Sequence, residues 1–199
     1  MKASTVPRLP RDFPTSCVAV WGMRGSGKST LGRELIRKAR FDRLDPRPQI
    51  VRVDPVGAGG CTTARQVEQA LKEGRPEVDF TSSREDLARE VIALCLARSR
   101  KWAPIYLVLD EASVYLRRLD PMISKMFLQG RHYGLGVMMI SQRPVHVHPD
   151  YRSQAVARFW LRLDEARDRS VAAEALGRDV AARLQSLPVG QFIQHPTAI

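Results

Sequence analysis

Gly22-Met23-Arg24-Gly25-Ser26-Gly27-Lys28-Ser29 sets glycines, a lysine and a hydroxyl at the spacing G-x-x-x-x-G-K-[ST]. The apolar run Cys17 to Trp21 precedes it and an amphipathic segment, Thr30 to Ala39, follows. That order demands a fold in which a buried strand turns directly into the start of a helix. Glycines let backbone N–H groups curl round an anion where a Cβ would clash, and the helix N-terminus adds positive potential. The segment therefore reads as a phosphate cradle made by Gly22, Gly25, Ser26, Gly27, Lys28, Ser29 and Thr30. Lys28 is expected to reach the β- and γ-phosphates, and the Ser29 hydroxyl to sit on Mg²⁺, so the ligand implied is a Mg-nucleotide.

The rest of the chain alternates β-branched apolar runs with amphipathic segments, the pattern of an α/β fold whose mostly parallel sheet carries helices on both faces. Strands are expected at Cys17 to Trp21, Ile50 to Val53, Ile105 to Leu109, Gly136 to Ser141, Arg158 to Leu163 and Gln191 to Gln194. A helix is expected over Arg84 to Arg98, opened by a capping box between Ser82 and Glu85, with Leu87, Val91, Leu94 and Cys95 as its apolar stripe. Another should run from about Glu165 to Leu176 and close at Gly177. Residues 55–62 concentrate glycine and small side chains and read as a mobile loop. The organisation expected is an extended, proline-punctuated segment over residues 1–15 and one domain over 16–199.

Ile105 to Leu109 ends in Asp110-Glu111, the form of a Walker B element. Asp110 is then the residue to orient the Mg²⁺ shell, and Glu111 the general base that polarises a water for in-line attack. The same acids can also serve merely to cap a helix over Ala112 to Leu116. A water-activating Glu favours hydrolysis over transfer to an acceptor, as a nucleotide kinase would perform. Asp54 either faces this site or forms a turn before Pro55.

Composition narrows the setting. The longest apolar runs fall far short of the roughly 20 residues a spanning helix requires, and no apolar stretch behind Met1-Lys2 resembles a secretion signal. Cys17, Cys61 and Cys95 match neither a zinc pattern nor a redox pair, which suits a reducing cytoplasm. Lys and Arg number 32 against 21 Asp and Glu, a net charge of +11 that favours a polyanionic partner.

The stretch Gln129 to Pro144, QGRHYGLGVMMISQRP, resembles the signature that follows Walker B in the FtsK/HerA superfamily, and the likeness extends from about Val18 to the last strand. The resemblance implies a RecA-like ATPase using ATP and Mg²⁺, with Arg131 as an arginine finger toward a neighbouring subunit and Gln142 as a γ-phosphate sensor. From the residues alone, Arg131 serves equally to complement a helix dipole, and Gln142 to end a strand. The family further implies a homo-oligomeric ring, hexameric in the way such motors are, acting on double-stranded DNA. The single-core form is similar to the genome-packaging ATPases of tailless viruses with an internal membrane. It implies a capsid vertex or viral membrane protein as a further partner, with a location in the host cytoplasm or at a virion vertex. The alternative from the same P-loop class is an assembly or secretion ATPase of a phage or conjugation system, not driven by DNA.

Overall fold

In the computed structural model, which describes residues 3–195, seven strands form one sheet in the order β3-β2-β4-β5-β1-β6-β7. They are β1 (Cys17–Trp21), β2 (Gln49–Asp54), β3 (Glu77–Thr81), β4 (Ile105–Leu109), β5 (Leu135–Ser141), β6 (Ala157–Trp160) and β7 (Ile193–His195). All neighbouring pairs are parallel except β6 with β7. The helices are α1 (Lys28–Ala39), α2 (Ala64–Lys72), α3 (Glu85–Arg98), α4 (Pro121–Gln129), α5 (Pro149–Ser153), α6 (Ala166–Leu176) and α7 (Arg178–Ala182). Residues 1, 2 and 196–199, parts of the expected end segments, lie outside the described residues.

Each sheet face has its own apolar layer, because strand side chains alternate between faces. Val18, Val20, Tyr106, Val108, Met138 and Ile140 meet α1 and the N-terminal segment through Leu31, Leu35 and Phe13. Ala19, Trp21, Leu107, Leu109, Val137 and Met139 face α2, α3, α4 and α6. Helix α1 lies close to β5 because Gly32 has no side chain: a Cβ there would come within 2.8 Å of the Ile140 side chain. The N-terminal segment is held by paired bonds between Ser4 and Phe192 and by Phe13, which stacks on Tyr106 at 5.2 Å. Burying that ring contributes about 2–3 kcal/mol.

Several sequence expectations shift. The strand expected over Arg158 to Leu163 is Ala157–Trp160: the Leu161 N–H still bonds to Trp21 O of β1 at 2.8 Å, but the Leu163 N–H bonds to Leu184 O instead of a strand, and both leucines stay buried. The last strand starts at Ile193, because Phe192 is taken up by Ser4. The capping box is not at Ser82 and Glu85. Arg84 is the extended N-cap of α3, and the Ser82 hydroxyl accepts the Arg84 N–H in a local turn. The box forms instead at α2, between Thr63 and Gln66. Residues buried along α3 are Ala88, Val91, Ile92 and Cys95, one position round from part of the expected stripe. The expected helix from Ala112 is one 3-10 turn, Ala112–Val114.

The sequence pattern did not place α4, α5 or α7, nor α2 and β3. The latter alternates exposed Glu77 and Asp79 with buried Val78 and Phe80, as an edge strand with one wet face does. Nor is the glycine-rich loop 55–62 loose, since the Cys61 N–H bonds to Asp79 O, Thr81 N–H to Cys61 O and the Thr81 hydroxyl to Gly59 O.

Candidate nucleotide site

At the end of β1 the chain turns through Gly22 to Gly27 and enters α1 at Lys28. Gly25 and Gly27 have φ of 76° and 100°, a left-handed backbone that L side chains resist. Gly22 is required for space: a Cβ would meet the Ser26 hydroxyl at 2.6 Å and Leu161 at 2.7 Å. The turn is braced by its neighbours, with Gly22 N–H on Ser141 O (3.2 Å), Met23 N–H on Arg162 O (2.8 Å) and Gly190 N–H on Ser26 O (3.0 Å).

Within the turn the Ser26 hydroxyl is buried with no hydrogen-bond partner, a polar atom left for a ligand to satisfy. Lys28 donates one of its three N–H bonds to Met23 O at 3.1 Å. Burial pushes its ammonium below the usual lysine range, against the pull of Glu111 and Asp110.

The acidic pair follows β4, whose five residues are all buried. Asp110 N–H bonds to Val53 O, and its carboxylate accepts the Glu111 N–H at 2.9 Å. Burial raises the Asp110 carboxyl above the ordinary Asp range; Asp54 and Glu111 add to this, while the Glu111 N–H and Lys28 oppose it. Glu111 adopts φ 46°, ψ 48°, a left-handed conformation for a residue with a full side chain. Its carboxylate accepts the Gln142 side-chain N–H at 2.5 Å.

A cavity of about 350 Å³ opens beside Ser29 and Asp110 and is lined also by Asp54, Gly57, Gly59 and Arg33. Asp54 thus satisfies both readings left open for it: it faces the cavity, and its carboxylate accepts the Val56 N–H at 2.9 Å in a turn. The glycine-rich loop is a wall of this cavity, which sequence reasoning did not foresee. Asp110, Ser29 and the orphaned Ser26 hydroxyl fit a hydrated Mg²⁺ carried by a polyphosphate, a cation that needs only one or two protein oxygens beside phosphate and water. Mg²⁺ there would neutralise phosphate charge.

Gln142 follows the tip of β5, and the next residue carries an unforeseen contact. Arg143 donates to Asp168 at 2.6 Å, and Asp168, on α6 and 1% exposed, also accepts the Val145 N–H at 3.0 Å. The partners are 25 residues apart, and only an Asp on an otherwise weakly patterned helix marked the position. Arg131 is not brought to the cradle. It sits, exposed, in the turn Gly130–Tyr133 before β5, and β5 separates it from the Gln142 end by its seven residues, roughly 23 Å.

Phosphate cradle, acidic strand end and braced polar tip together define a P-loop ATPase. The chain belongs to the AAA domain family, whose model matches residues 11–143. Among characterised proteins it is similar to the DNA double-strand break repair helicase HerA of Saccharolobus solfataricus, 29% identical over 153 residues, covering 66% of this chain and 31% of that one. The HerA of Pyrococcus furiosus is 24% identical over 150 residues, covering 68% and 27%. The chain thus spans about a third or less of the length of these relatives. Its fold superposes on the genome packaging NTPase B204 from Sulfolobus turreted icosahedral virus 2, in complex with ATP-gammaS. The TM-score is 0.73 over 91% of this chain and 92% of that one, at 17% identity. The resemblance to FtsK/HerA ATPases stands, and the sheet is the mostly parallel P-loop core expected.

Proposed function

We propose that this chain is a Mg-dependent ATP hydrolase that assembles into a hexameric ring and translocates double-stranded DNA, packaging a viral genome into a capsid. In this reading residues 16–199 form the ATPase domain and 1–15 an extended segment before it. The backbone of Gly22 to Thr30 holds the phosphates, and Lys28 neutralises the β- and γ-oxygens. Ser29 and Asp110 would hold Mg²⁺. Glu111 takes a proton from the attacking water, Gln142 orients Glu111 and senses the γ-phosphate, and Arg131 of one copy serves the nucleotide of the next.

The observation that carries hydrolysis is the 2.5 Å bond from Gln142 to Glu111. It aims a carboxylate from the end of β4 using a residue from the strand beside it, leaving the other carboxylate oxygen for water. DNA as the polyanion is supported by the net charge of +11 and by the helicases among its relatives. A genome-packaging role is supported by the match in fold to B204. Among the described residues no helix is long and apolar enough to cross a membrane. Action in the host cytoplasm or at a virion vertex belongs to the same proposal.

The test is phosphate release from Mg-ATP by wild type and Glu111→Gln, with and without duplex DNA. DNA-stimulated release that disappears in the variant is expected. Hydrolysis indifferent to DNA refutes the motor and favours an assembly ATPase; transfer of labelled phosphate to a nucleotide acceptor refutes hydrolysis as the reaction.

A further inference from the structure

On the sheet face turned away from α1, a cavity of about 300 Å³ lies between α5, α6 and the strands β1 and β6. Trp21 and Trp160 line it from the sheet, their rings 6.1 Å apart. Both side chains are almost wholly buried, and neither indole N–H has a hydrogen-bond partner. A buried donor with nothing to bond costs about 1–3 kcal/mol, so two of them at one cavity mark a place for the acceptor atoms of a ligand. The nucleotide cavity, lined by Val108 and Ile140, opens on the other face of the sheet, so an occupant here is not the substrate of hydrolysis.

Two guanidiniums share the cavity. Arg152, on α5, donates to Pro144 O at 3.0 Å. Arg158, on β6, makes only long bonds, at 3.3 and 3.4 Å, to the carbonyls of Arg152 and Ser153. Neither has an ion-pair partner among the described residues: the carboxylate among the lining residues, Glu174 on α6, is exposed and pairs with neither, and Asp168 is already taken by Arg143. Burial pushes both guanidiniums below the usual arginine range; Glu174 and Asp168 pull Arg152 back up and Arg158 pushes it further down, while Cys17 raises Arg158. An anion beside them would restore the stabilisation that burial removes.

We propose that this cavity binds a small organic monocarboxylate, whose oxygens accept from Arg152, Arg158 and the two indole N–H groups while its apolar body lies against Val171 and Ala175. The fork of N–H groups on a guanidinium matches the paired oxygens of a carboxylate. Two guanidiniums against Glu174 leave a surplus of a single positive charge, which a monoanion cancels and a phosphate dianion exceeds. Exposed Ser153 and Glu174 among the lining residues bring the cavity to the surface, where a ligand enters. The site is independent of the reading of the nucleotide cavity and of any assembly of the chain.

The experiment is tryptophan fluorescence of the full chain carrying Trp102→Phe, in which Trp21 and Trp160 alone emit, titrated with cyclohexanecarboxylate, cyclohexanecarboxamide and inorganic phosphate. Trp102 is 75% exposed, so its loss should leave the melting temperature at the wild-type value. A saturable change with the acid is expected, with the amide and phosphate binding at least about tenfold more weakly. Adding Arg158→Gln should weaken the acid at least about tenfold. Adding Glu174→Gln, at an exposed position, should tighten it about two- to fivefold, and this arm remains decisive if loss of Arg158 prevents folding. No response to the acid, an equal response to the amide, or acid binding that Glu174→Gln leaves unchanged or weakens overturns the site. Tighter binding of phosphate overturns the carboxylate as its ligand.

Discussion

Glu111 offers a test that separates backbone strain from catalysis, because two substitutions that abolish the same side chain should differ in stability. Its φ of 46° and ψ of 48° lie where a Cβ crowds the following carbonyl oxygen, costing an L-residue about 1–2 kcal/mol. The conformation is enforced on both sides, by the Glu111 N–H bond to the Asp110 carboxylate at 2.9 Å and by the Val114 N–H bond to Glu111 O at 2.8 Å. Glu111→Ala and Glu111→Gly both delete the proposed base and the Gln142 bond, so their difference isolates the backbone. Glycine removes the clash but frees the unfolded chain by about 0.4–1 kcal/mol. The balance leaves Glu111→Gly more stable than Glu111→Ala by about 0.5–1 kcal/mol, a gap of about 1–4 °C in Tm for a chain of this size. The sign is diagnostic, since at an ordinary helical position glycine is the less stable by about the same amount. Both variants should hydrolyse ATP about 10²–10⁴-fold more slowly. Paired thermal melts of the apo proteins give the answer. If the alanine variant melts at or above the glycine variant, the backbone relaxes and no strain is stored at this residue.

Three further outcomes follow from the site. Asp110 has its folded pKa raised by burial, so the folded chain binds more protons than the unfolded one between the ordinary Asp value and that raised value. Stability therefore falls as pH rises through this window and stays reduced at neutral pH; apo Asp110→Asn should melt higher than wild type at pH 7, the two converging in acid, and a lower melt at pH 7 would contradict this. Arg131→Ala should keep the affinity for a fluorescent ATP analogue and lose most turnover; equal losses of binding and turnover would remove it from the role of finger. Cys95 is fully buried and its thiol is pushed up to about 12 by that burial, whereas Cys61 is half-buried and raised less, so alkylation of the native chain should mark Cys61 well before Cys95, as read by peptide mass mapping.

What the sequence disclosed divides along physical lines. The cradle was legible because its chemistry is contiguous: spacing alone fixes which residues reach one phosphate group, and β1 and β4 begin and end where their apolar runs do. The helix α6 closes at Gly177, as the glycine suggested. β3 was missed because only Val78 and Phe80 of its five residues are apolar enough to show, and α2 because its glycine-rich preface drew the eye to a loop. The ion pair between Arg143 and Asp168 was out of reach, since no local pattern announces a bond between a strand tip and a helix 25 residues later. Nor does any residue type forecast a left-handed glutamate; that conformation is imposed by the turn into Ala112–Val114.

The strand order gives these long-range contacts their meaning. β5 lies between β4, which ends in Asp110 and Glu111, and β1, which ends in the cradle, so its tip is the one strand end that touches both. Three consecutive residues there bond in three directions. Ser141 O accepts the cradle's Gly22 N–H at 3.2 Å, Gln142 donates to Glu111 at 2.5 Å, and Arg143 donates to Asp168 on α6 at 2.6 Å. Asp168 is almost wholly buried, and a buried carboxylate that lost its cation would cost several kcal/mol. The Arg143 end of the tip is therefore the least free to move. If Gln142 rotates from Glu111 toward a γ-phosphate, the adjustment falls on its own side chain and on the strained Glu111, not on the strand. In its proposed role as a γ-phosphate sensor, Gln142 would change partners on a clamped strand without the sheet changing shape, as repeated turnover at one site would require.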